Sequence, residues 1–144
     1  MKVMTAHFGE IEIREQDIYT FPDGIPGFEQ DKRFIVIKLE DLDGFACLQC
    51  VDRMLSFFVV NPFLFYPEYE FNLPDAEAKR LEATDPADLS VWSIVTIKDR
   101  LETATVNLVA PVVLNERNRR GRQVILVDPK LNTRHALFRL AKEV

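Results

Sequence analysis

Short apolar runs separated by turn-forming residues follow one another along this chain. Residues 10–14 alternate strictly, with Ile11 and Ile13 on one side and charged residues on the other, which is typical of a half-buried strand. Residues 45–51 and 55–60 resemble a hairpin that turns at Asp52 and Arg53. The remaining β-like runs are 18–21, 34–39, 91–97, 103–109, 112–114 and 123–127.

One segment has a helical pattern instead. Residues 76–83 consist largely of strong helix formers, and Asp75 before them is a good N-cap. Residues 135–141 fit either a strand or a terminal helix. Taken together, the pattern predicts an all-β, mainly antiparallel, small barrel-like fold with about nine or ten short strands and one short helix. We expect a single domain over residues 1–144.

Residues 57–74 stand out because they contain seven of the fifteen aromatic residues. Pro62, Pro67 and Pro74 interrupt this segment, and proline is excluded from helix interiors and from central strands. We therefore expect a strand over 57–60 that continues into an extended segment at a sheet edge. In such a segment, alternate residues share a face. One face would carry Phe63, Phe65, Tyr69 and Phe71, and the other would carry Tyr66, Glu68, Glu70 and Asn72.

This segment has two interpretations that the residues leave open. Large aromatics usually belong to a core, and acidic residues on an edge strand can simply protect it from pairing. Alternatively, the edge binds a partner, because tyrosine is enriched at protein interfaces and an edge strand can accept another strand. Tyr66 and Tyr69 lie beside Pro67, Glu68 and Glu70, and we expect these two tyrosines to be exposed.

The charge of the chain is unevenly distributed. The net charge is −5, but residues 1–114 contain 20 acids and 10 bases, whereas residues 115–144 contain 3 acids and 8 bases. A mostly acidic surface repels nucleic acid and attracts basic partners. No apolar run approaches the length that a membrane span needs, and no secretory signal follows Lys2. We expect a cytoplasmic protein that does not enter the membrane.

The sequence provides no convincing catalytic or metal-binding motif. Cys47 and Cys50 form a CxxC pair, but no second pair accompanies them, and residues three apart on a strand point to opposite faces. Two small core residues are the better interpretation. His135 has no obvious nucleophile beside it, and the five glycines form no phosphate-binding loop. We expect no enzyme activity, cofactor, metal or small-molecule substrate.

The chain has one basic cluster, in residues 117–122. It consists of Arg117, Arg119, Arg120 and Arg122 between two β-like runs. Such a cluster can bind phosphate, which would suggest an RNA-binding β-barrel, but charged hairpin tips also keep proteins soluble. The acidic remainder of the chain opposes a direct nucleic-acid partner. A third interpretation is that the arginines contact an acidic protein segment.

Several motifs together resemble one known family. The motifs include Phe8-Gly9, the run FPDGIPGF from Phe21, Asn61-Pro62-Phe63, Tyr69-Glu70-Phe71, the run NLVAP from Asn107, Gly121-Arg122-Gln123, and Thr133-Arg134-His135. Each motif alone is weak, but together they span nearly the whole chain in order. On these residues the sequence is similar to the flagellar assembly factor FliW family.

The resemblance implies a compact barrel-like fold and a role in building the bacterial flagellum without enzyme activity. It also implies two protein partners, flagellin and the RNA-binding translational repressor CsrA, which the protein would antagonise when free of flagellin. Combined with the aromatic segment, it suggests a partner-binding site at Asn61, Phe65, Tyr66, Glu68, Tyr69 and Glu70. The RNA-binding barrel that uses residues 117–122 remains the alternative function.

Overall fold

A computed structural model describes residues 1–138. These residues form eleven strands and two short α-helices. The strands are β1 (Lys2–Thr5), β2 (Gly9–Glu12), β3 (Tyr19–Thr20), β4 (Arg33–Lys38), β5 (Phe45–Cys50), β6 (Ser56–Val60), β7 (Leu89–Thr96), β8 (Thr105–Val106), β9 (Val112–Asn115), β10 (Arg120–Gln123) and β11 (His135–Ala136). The helices are α1 (Pro62–Phe65) and α2 (Asp75–Arg80).

Seven of these strands close into a barrel. Their order is β7, β6, β5, β4, β3, β10 and β9, and β9 then pairs with the first half of β7. All of these pairs are antiparallel except β10 with β3, which is parallel. Strands β8 and β11 extend the sheet from the second half of β7, while β1 and β2 form a separate hairpin. The prediction of an all-β, mainly antiparallel, barrel-like fold is confirmed.

The barrel interior is filled by one side-chain layer because alternate residues of each strand point inward. Phe34, Leu48, Val59 and Leu114 are almost completely buried there. Gly121 lies against this layer, and a Cβ atom at that position would lie 2.5 Å from the ring of Phe21. Only glycine leaves room for the phenylalanine, so close packing explains this residue.

Two further apolar layers cover the outside of the barrel. The hairpin of β1 and β2 packs Val3 and Ile13 against Ile35 of β4. On another side, α1, α2 and the connecting loops cover a second core that includes Tyr69 and Leu81. All six residues of β5 are buried, because this strand has covered side chains on both of its faces.

The predicted hairpin of β5 and β6 is present, with its turn at the expected residues. Phe45 pairs with Val60 and Gln49 with Ser56. Arg53 in the turn donates two hydrogen bonds, of 2.8 and 2.7 Å, to the carboxylate of Asp31. These hydrogen bonds hold the pKa of the Asp31 carboxyl below its usual range. The charged turn is thereby anchored to the loop before β4.

Other elements differ from the predictions in their bounds. Strand 103–109 is reduced to Thr105–Val106, because the side chain of Asn107 accepts hydrogen bonds from the N–H groups of Val109 and Ala110 and turns the chain. Helix α2 begins at Asp75 instead of being capped by it. Strand β1 was not predicted.

The two C-terminal predictions also need correction or qualification. Strand β10 lies at Arg120–Gln123 and ends where the strand over 123–127 was predicted to begin. The N–H groups of Val124 and Leu126 still donate to Pro111 and Val109, so this run is extended without forming a regular ladder. The ambiguous segment 135–141 begins as strand β11, and its last residues lie outside the described part of the chain.

Candidate partner-binding surface

The segment after β6 is helical where an extended edge was expected. The side-chain oxygen of Asn61 accepts a hydrogen bond of 3.0 Å from the N–H of Phe63, and Pro62 occupies the first position of α1. An asparagine cap followed by proline is a strong helix start. The expected face alternation over 63–72 is therefore wrong, because local capping overrides the strand pattern at its start.

Helix α1 lies beside β7 but does not continue the β6 ladder along it. Val60 pairs with Ser93, so a continuing β6 would place Pro62 opposite Val91. Proline has no N–H to donate, and the ladder between β6 and β7 ends there. In an antiparallel pair, successive residues of a strand direct their backbone N–H and C=O groups to opposite sides. The carbonyl oxygen of Asp88 accepts a hydrogen bond from the N–H of Glu116, so the backbone groups of Asp88 point towards the β9 side. Leu89 and Val91 are one and three residues further along, and their backbone N–H and C=O groups therefore point away from β9.

Three backbone groups are open at this edge within residues 1–138. They are the N–H and C=O of Val91 and the C=O of Leu89, since the N–H of Leu89 donates to Pro86. The sequence predicted an open edge in the aromatic segment after β6, whereas the open backbone groups lie on β7. The signal that could have located it is Pro62, once the register of β6 against β7 is known.

Two clefts meet at this open edge. One encloses about 630 Å³ and the other about 520 Å³, and both are lined by Phe63, Leu89 and Val91. The larger cleft extends towards Phe71 and Leu73, and the smaller towards Leu39 and Trp92. We call the two clefts and the β7 edge between them the β7 groove.

The entrance of the smaller cleft depends on a glycine. Gly44 adopts a φ of +84°, which side chains other than glycine rarely tolerate, in the turn between β4 and β5. A Cβ atom there would lie 2.7 Å from the side chain of Leu64 in α1. Leu64 itself is 54% exposed. The close approach of α1 to this turn gives the groove an apolar wall that faces solvent.

The rim of the β7 groove is acidic. Asp43, Glu70 and Asp85 line it, whereas Lys38 is the single basic lining residue. Within residues 1–138, none of the three carboxylates forms an ion pair. The groove therefore combines apolar walls, open backbone groups and uncompensated negative charge.

Tyr69 is buried, so the expectation that it is exposed is wrong. Its side chain is 6% exposed, and its hydroxyl donates a hydrogen bond of 2.6 Å to the carbonyl oxygen of Leu108. Burial raises the pKa of this hydroxyl. Tyr69 anchors the turn after α1 to the outer core and does not offer a contact surface. The chain folds back after Pro67, so the odd residues no longer share one face.

Phe65 and Tyr66 face the C-terminal part of the described chain. Phe65 packs against the rings of Phe45 and Phe138, with centroid distances of 5.5 and 6.0 Å. The hydroxyl of Tyr66 donates a hydrogen bond of 2.5 Å to the carbonyl oxygen of Ala136, and its ring lies edge-on to His135. Both aromatics are half-buried. Burial also lowers the pKa of His135.

The predicted partner-binding set is therefore divided by the structure. Asn61 caps α1 at the mouth of the smaller cleft, and Glu70 lies on the rim of the larger one. Glu68 is exposed beside Pro67. Phe65 and Tyr66 lie on the other flank of α1. A partner-binding role for these residues stays a prediction.

The four arginines of residues 117–122, in the β9–β10 loop and at the start of β10, are all paired with acidic residues. The pairs are Arg117 with Asp88 (3.4 Å), Arg119 with Glu116 (2.7 Å), Arg120 with Glu82 (3.2 Å), and Arg122 with both Asp23 and Glu77. Much of their charge is thus balanced locally, which weakens attraction for phosphate. Contact of this loop with an acidic protein segment stays a prediction.

A polar cluster lines a third cleft, of about 560 Å³, near the start of β7. The carboxylate of Glu116 accepts hydrogen bonds from Tyr19 (2.7 Å), Ser90 (2.5 Å) and Arg119 (2.7 Å). Burial and the hydrogen bond to Glu116 raise the pKa of Tyr19. Because these groups satisfy one another, the cluster fixes the β9–β10 loop on the barrel.

The cysteines lie where the strand interpretation placed them. Cys47 and Cys50 are buried free thiols on β5, and burial raises the pKa of both. In the described residues, no group of three or more histidines, cysteines or carboxylates could hold a metal ion. None of the helices between residues 1 and 138 is long and apolar enough to span a membrane.

Comparisons with known proteins agree on one family. The sequence model of the FliW protein family matches residues 2–137. The flagellar assembly factor FliW of Geobacillus kaustophilus is 42% identical over 139 residues, which cover 96% of each chain. That of Bacillus subtilis is 36% identical over 138 residues, covering 95% of this chain and 96% of its own. A crystal structure of the flagellar assembly factor FliW superposes with a TM-score of 0.90 at 39% identity, over 96% of this chain and 98% of that one.

Proposed function

This chain belongs to the FliW family, and from that premise we propose that it is a non-enzymatic flagellar assembly factor that binds flagellin in the cytoplasm as a chaperone. We further propose that, when free of flagellin, it binds the translational repressor CsrA and antagonises it. The observation that carries the proposal is the family match over residues 2–137, together with a TM-score of 0.90 to a solved family structure.

The charge of the chain supports the second half of the proposal. Residues 1–114, which build most of the barrel, contain 20 acids and 10 bases. An RNA-binding repressor must present basic residues to phosphate, so an acidic protein is attracted to it. Once bound, the same negative charge repels RNA. This repulsion disfavours the message even where the RNA-binding surface itself stays uncovered.

Partner exchange requires that the two partners exclude each other. Exclusion follows either from overlapping surfaces or from two conformations with different affinities. The segment 61–70 and the β7 groove share Asn61, Phe63 and Glu70, so partners that bind to these two regions would overlap. We place the shared surface there as part of this proposal.

Flagellin binding is tested directly with purified proteins. Flagellin monomers from the same bacterium are titrated into the chain, and binding is measured by isothermal titration calorimetry. We expect a saturable complex that co-elutes in gel filtration. The absence of a complex with flagellin would refute the chaperone half.

Antagonism of the repressor is tested in a gel-shift experiment. CsrA bound to the leader of the flagellin message is titrated with the chain, and we expect release of free RNA. No release at saturating chain would refute the antagonist half. A lane with chain and RNA alone tests the RNA-binding alternative. A shift in that lane that disappears in an Arg119→Gln, Arg120→Gln double variant would favour the alternative.

A further inference from the structure

We propose that the β7 groove binds an extended peptide segment of a protein partner, which adds as a strand to β7 beside Val91. The segment has apolar side chains at alternate positions and lysine or arginine between them. The inference rests on the proposed function only in taking the segment to belong to a protein partner.

The backbone of β7 supplies the recognition chemistry. The N–H and C=O of Val91 point to the same side of the strand, so one residue of an incoming antiparallel strand can satisfy both groups. The C=O of Leu89 offers a third position two residues away. These groups span roughly 7 Å along the strand, enough for about three residues of a peptide. The added strand would lie in line with β6, because Val60 at the end of β6 pairs with Ser93 on the same side of β7.

The walls of the groove suit alternating apolar side chains. Phe63 lines both clefts and lies at their junction, with 40% of its surface exposed. Phe71 and Leu73 extend the larger cleft, and Leu64 and Trp92 the smaller one. Successive side chains of a strand point to opposite faces, so apolar residues two apart would share one face of the added strand.

The rim selects the charge of the segment. Asp43 and Asp85 line opposite clefts, and Glu70 lies beside Phe71 in the larger one. Against these three carboxylates stands only Lys38 among the lining residues. Lysine or arginine side chains directed to the rim would be attracted, and glutamate or aspartate would be repelled. Charge therefore favours a basic segment over an acidic one.

The probe is a fluorescein-labelled peptide of about eight residues that alternates valine and lysine, roughly 26 Å long when extended. Binding is measured by fluorescence anisotropy at moderate salt. Two matched peptides serve as controls. One is N-methylated at every internal amide, so neither edge of the peptide can donate in any register. The other replaces every lysine with glutamate.

We expect the valine–lysine peptide to bind and each control peptide to bind about tenfold or more weakly, because a loss near 1.4 kcal/mol corresponds to tenfold. Amide exchange followed by NMR should show slower exchange at Val91 when the peptide saturates the chain. Equal binding of the N-methylated peptide, unchanged exchange at Val91, or no binding of the valine–lysine peptide would each overturn the proposal.

A protein variant gives an independent test. Val91→Pro removes the N–H that faces the groove but no hydrogen bond to β9. We expect at least tenfold weaker peptide binding with an unchanged circular dichroism spectrum. If this variant does not fold, the double variant Asp43→Lys, Asp85→Lys replaces it. These substitutions at exposed positions should weaken binding of the valine–lysine peptide and strengthen binding of the glutamate peptide. Unchanged affinities in a folded variant would contradict the proposal.

The outcome is separable from that of the proposed function. A chain that binds flagellin but not the valine–lysine peptide retains the proposed function and loses the strand-addition site. A chain that protects Val91 with the peptide but binds neither flagellin nor CsrA retains the site and loses the proposed function.

Discussion

The β5–β6 hairpin and the segment that follows it, 61–70, both contain several aromatic residues but adopt different structures. In the hairpin, every residue of β5 is buried and its ladder with β6 runs unbroken from Phe45 to Gln49. In the following segment, Asn61 and Pro62 end the ladder and start a helix on the barrel surface. The difference lies in the backbone donor that proline lacks, and not in the presence of aromatic residues, which both regions contain.

This contrast separates stability from recognition. The hairpin contributes side chains to the closed barrel, where neighbours on all sides make any loss of volume costly. The following segment contributes walls to a groove and keeps Phe63 and Leu64 partly exposed. Substitutions at the buried positions of the first region should lower the free energy of unfolding most, whereas those at the exposed positions of the second should change it little. Five predictions test this division, from the largest expected effect to the smallest.

The largest effect is expected in the barrel interior. Leu48→Ala removes a side chain that is 1% exposed and packs between the strands. The cavity should lower the free energy of unfolding by about 2–5 kcal/mol. Urea denaturation followed by circular dichroism measures this change. The matched control is Leu64→Ala, at an exposed position, and an equal loss in both variants would contradict the division.

A smaller effect is expected for Tyr69→Phe. This variant leaves the carbonyl oxygen of Leu108 without its 2.6 Å donor, which should cost about 1–3 kcal/mol in the free energy of unfolding. Tyr66→Phe is the control, because the Tyr66 hydroxyl lies at a more exposed site. This variant should lose less free energy of unfolding than Tyr69→Phe. Equal losses would show that burial does not distinguish the two tyrosines.

The same variant should change the alkaline stability of the chain. Burial raises the pKa of Tyr69 in the folded state, whereas a tyrosine in the unfolded chain ionises at about pH 10. The resulting stabilisation is complete below that pH and is lost as the pH rises above it. Wild type should therefore lose more stability than Tyr69→Phe between roughly pH 9 and pH 11, as measured by urea unfolding at each pH.

Much of the hairpin and little of the groove could be predicted from sequence. Strands β4 to β6 follow from their apolar runs, and the turn follows from Asp52 and Arg53, because these signals are local. The extent of β8 depends on an Asn107 side chain that can turn the chain or remain in a strand. The edge at Val91 depends on the register of two strands far apart in sequence. No local pattern reveals that register.

The helix start at Asn61 should matter moderately. Asn61→Ala removes the cap on Phe63 and should lower the free energy of unfolding by about 1 kcal/mol. Asn61→Asp retains an oxygen acceptor and should lose only a small part of this energy. The measurement is thermal unfolding followed by circular dichroism. A loss in Asn61→Asp as large as that in Asn61→Ala would indicate that the amide nitrogen, and not the cap, is what matters.

The smallest effect on stability, and the most informative one for recognition, is expected for Glu70→Lys. Glu70 is exposed on the groove rim, so the free energy of unfolding should change by no more than about 0.5 kcal/mol. Reversing its charge should nevertheless weaken capture of a basic partner and make that binding less sensitive to salt. Glu10→Lys, at an exposed position of β2 outside the groove lining, changes the net charge equally and controls for it. Calorimetric titration with CsrA and with flagellin distinguishes the outcomes. Unchanged binding of both partners by Glu70→Lys would place the recognition surface elsewhere on the barrel, and equal weakening by Glu10→Lys would mean that net charge, rather than the groove rim, attracts the partner.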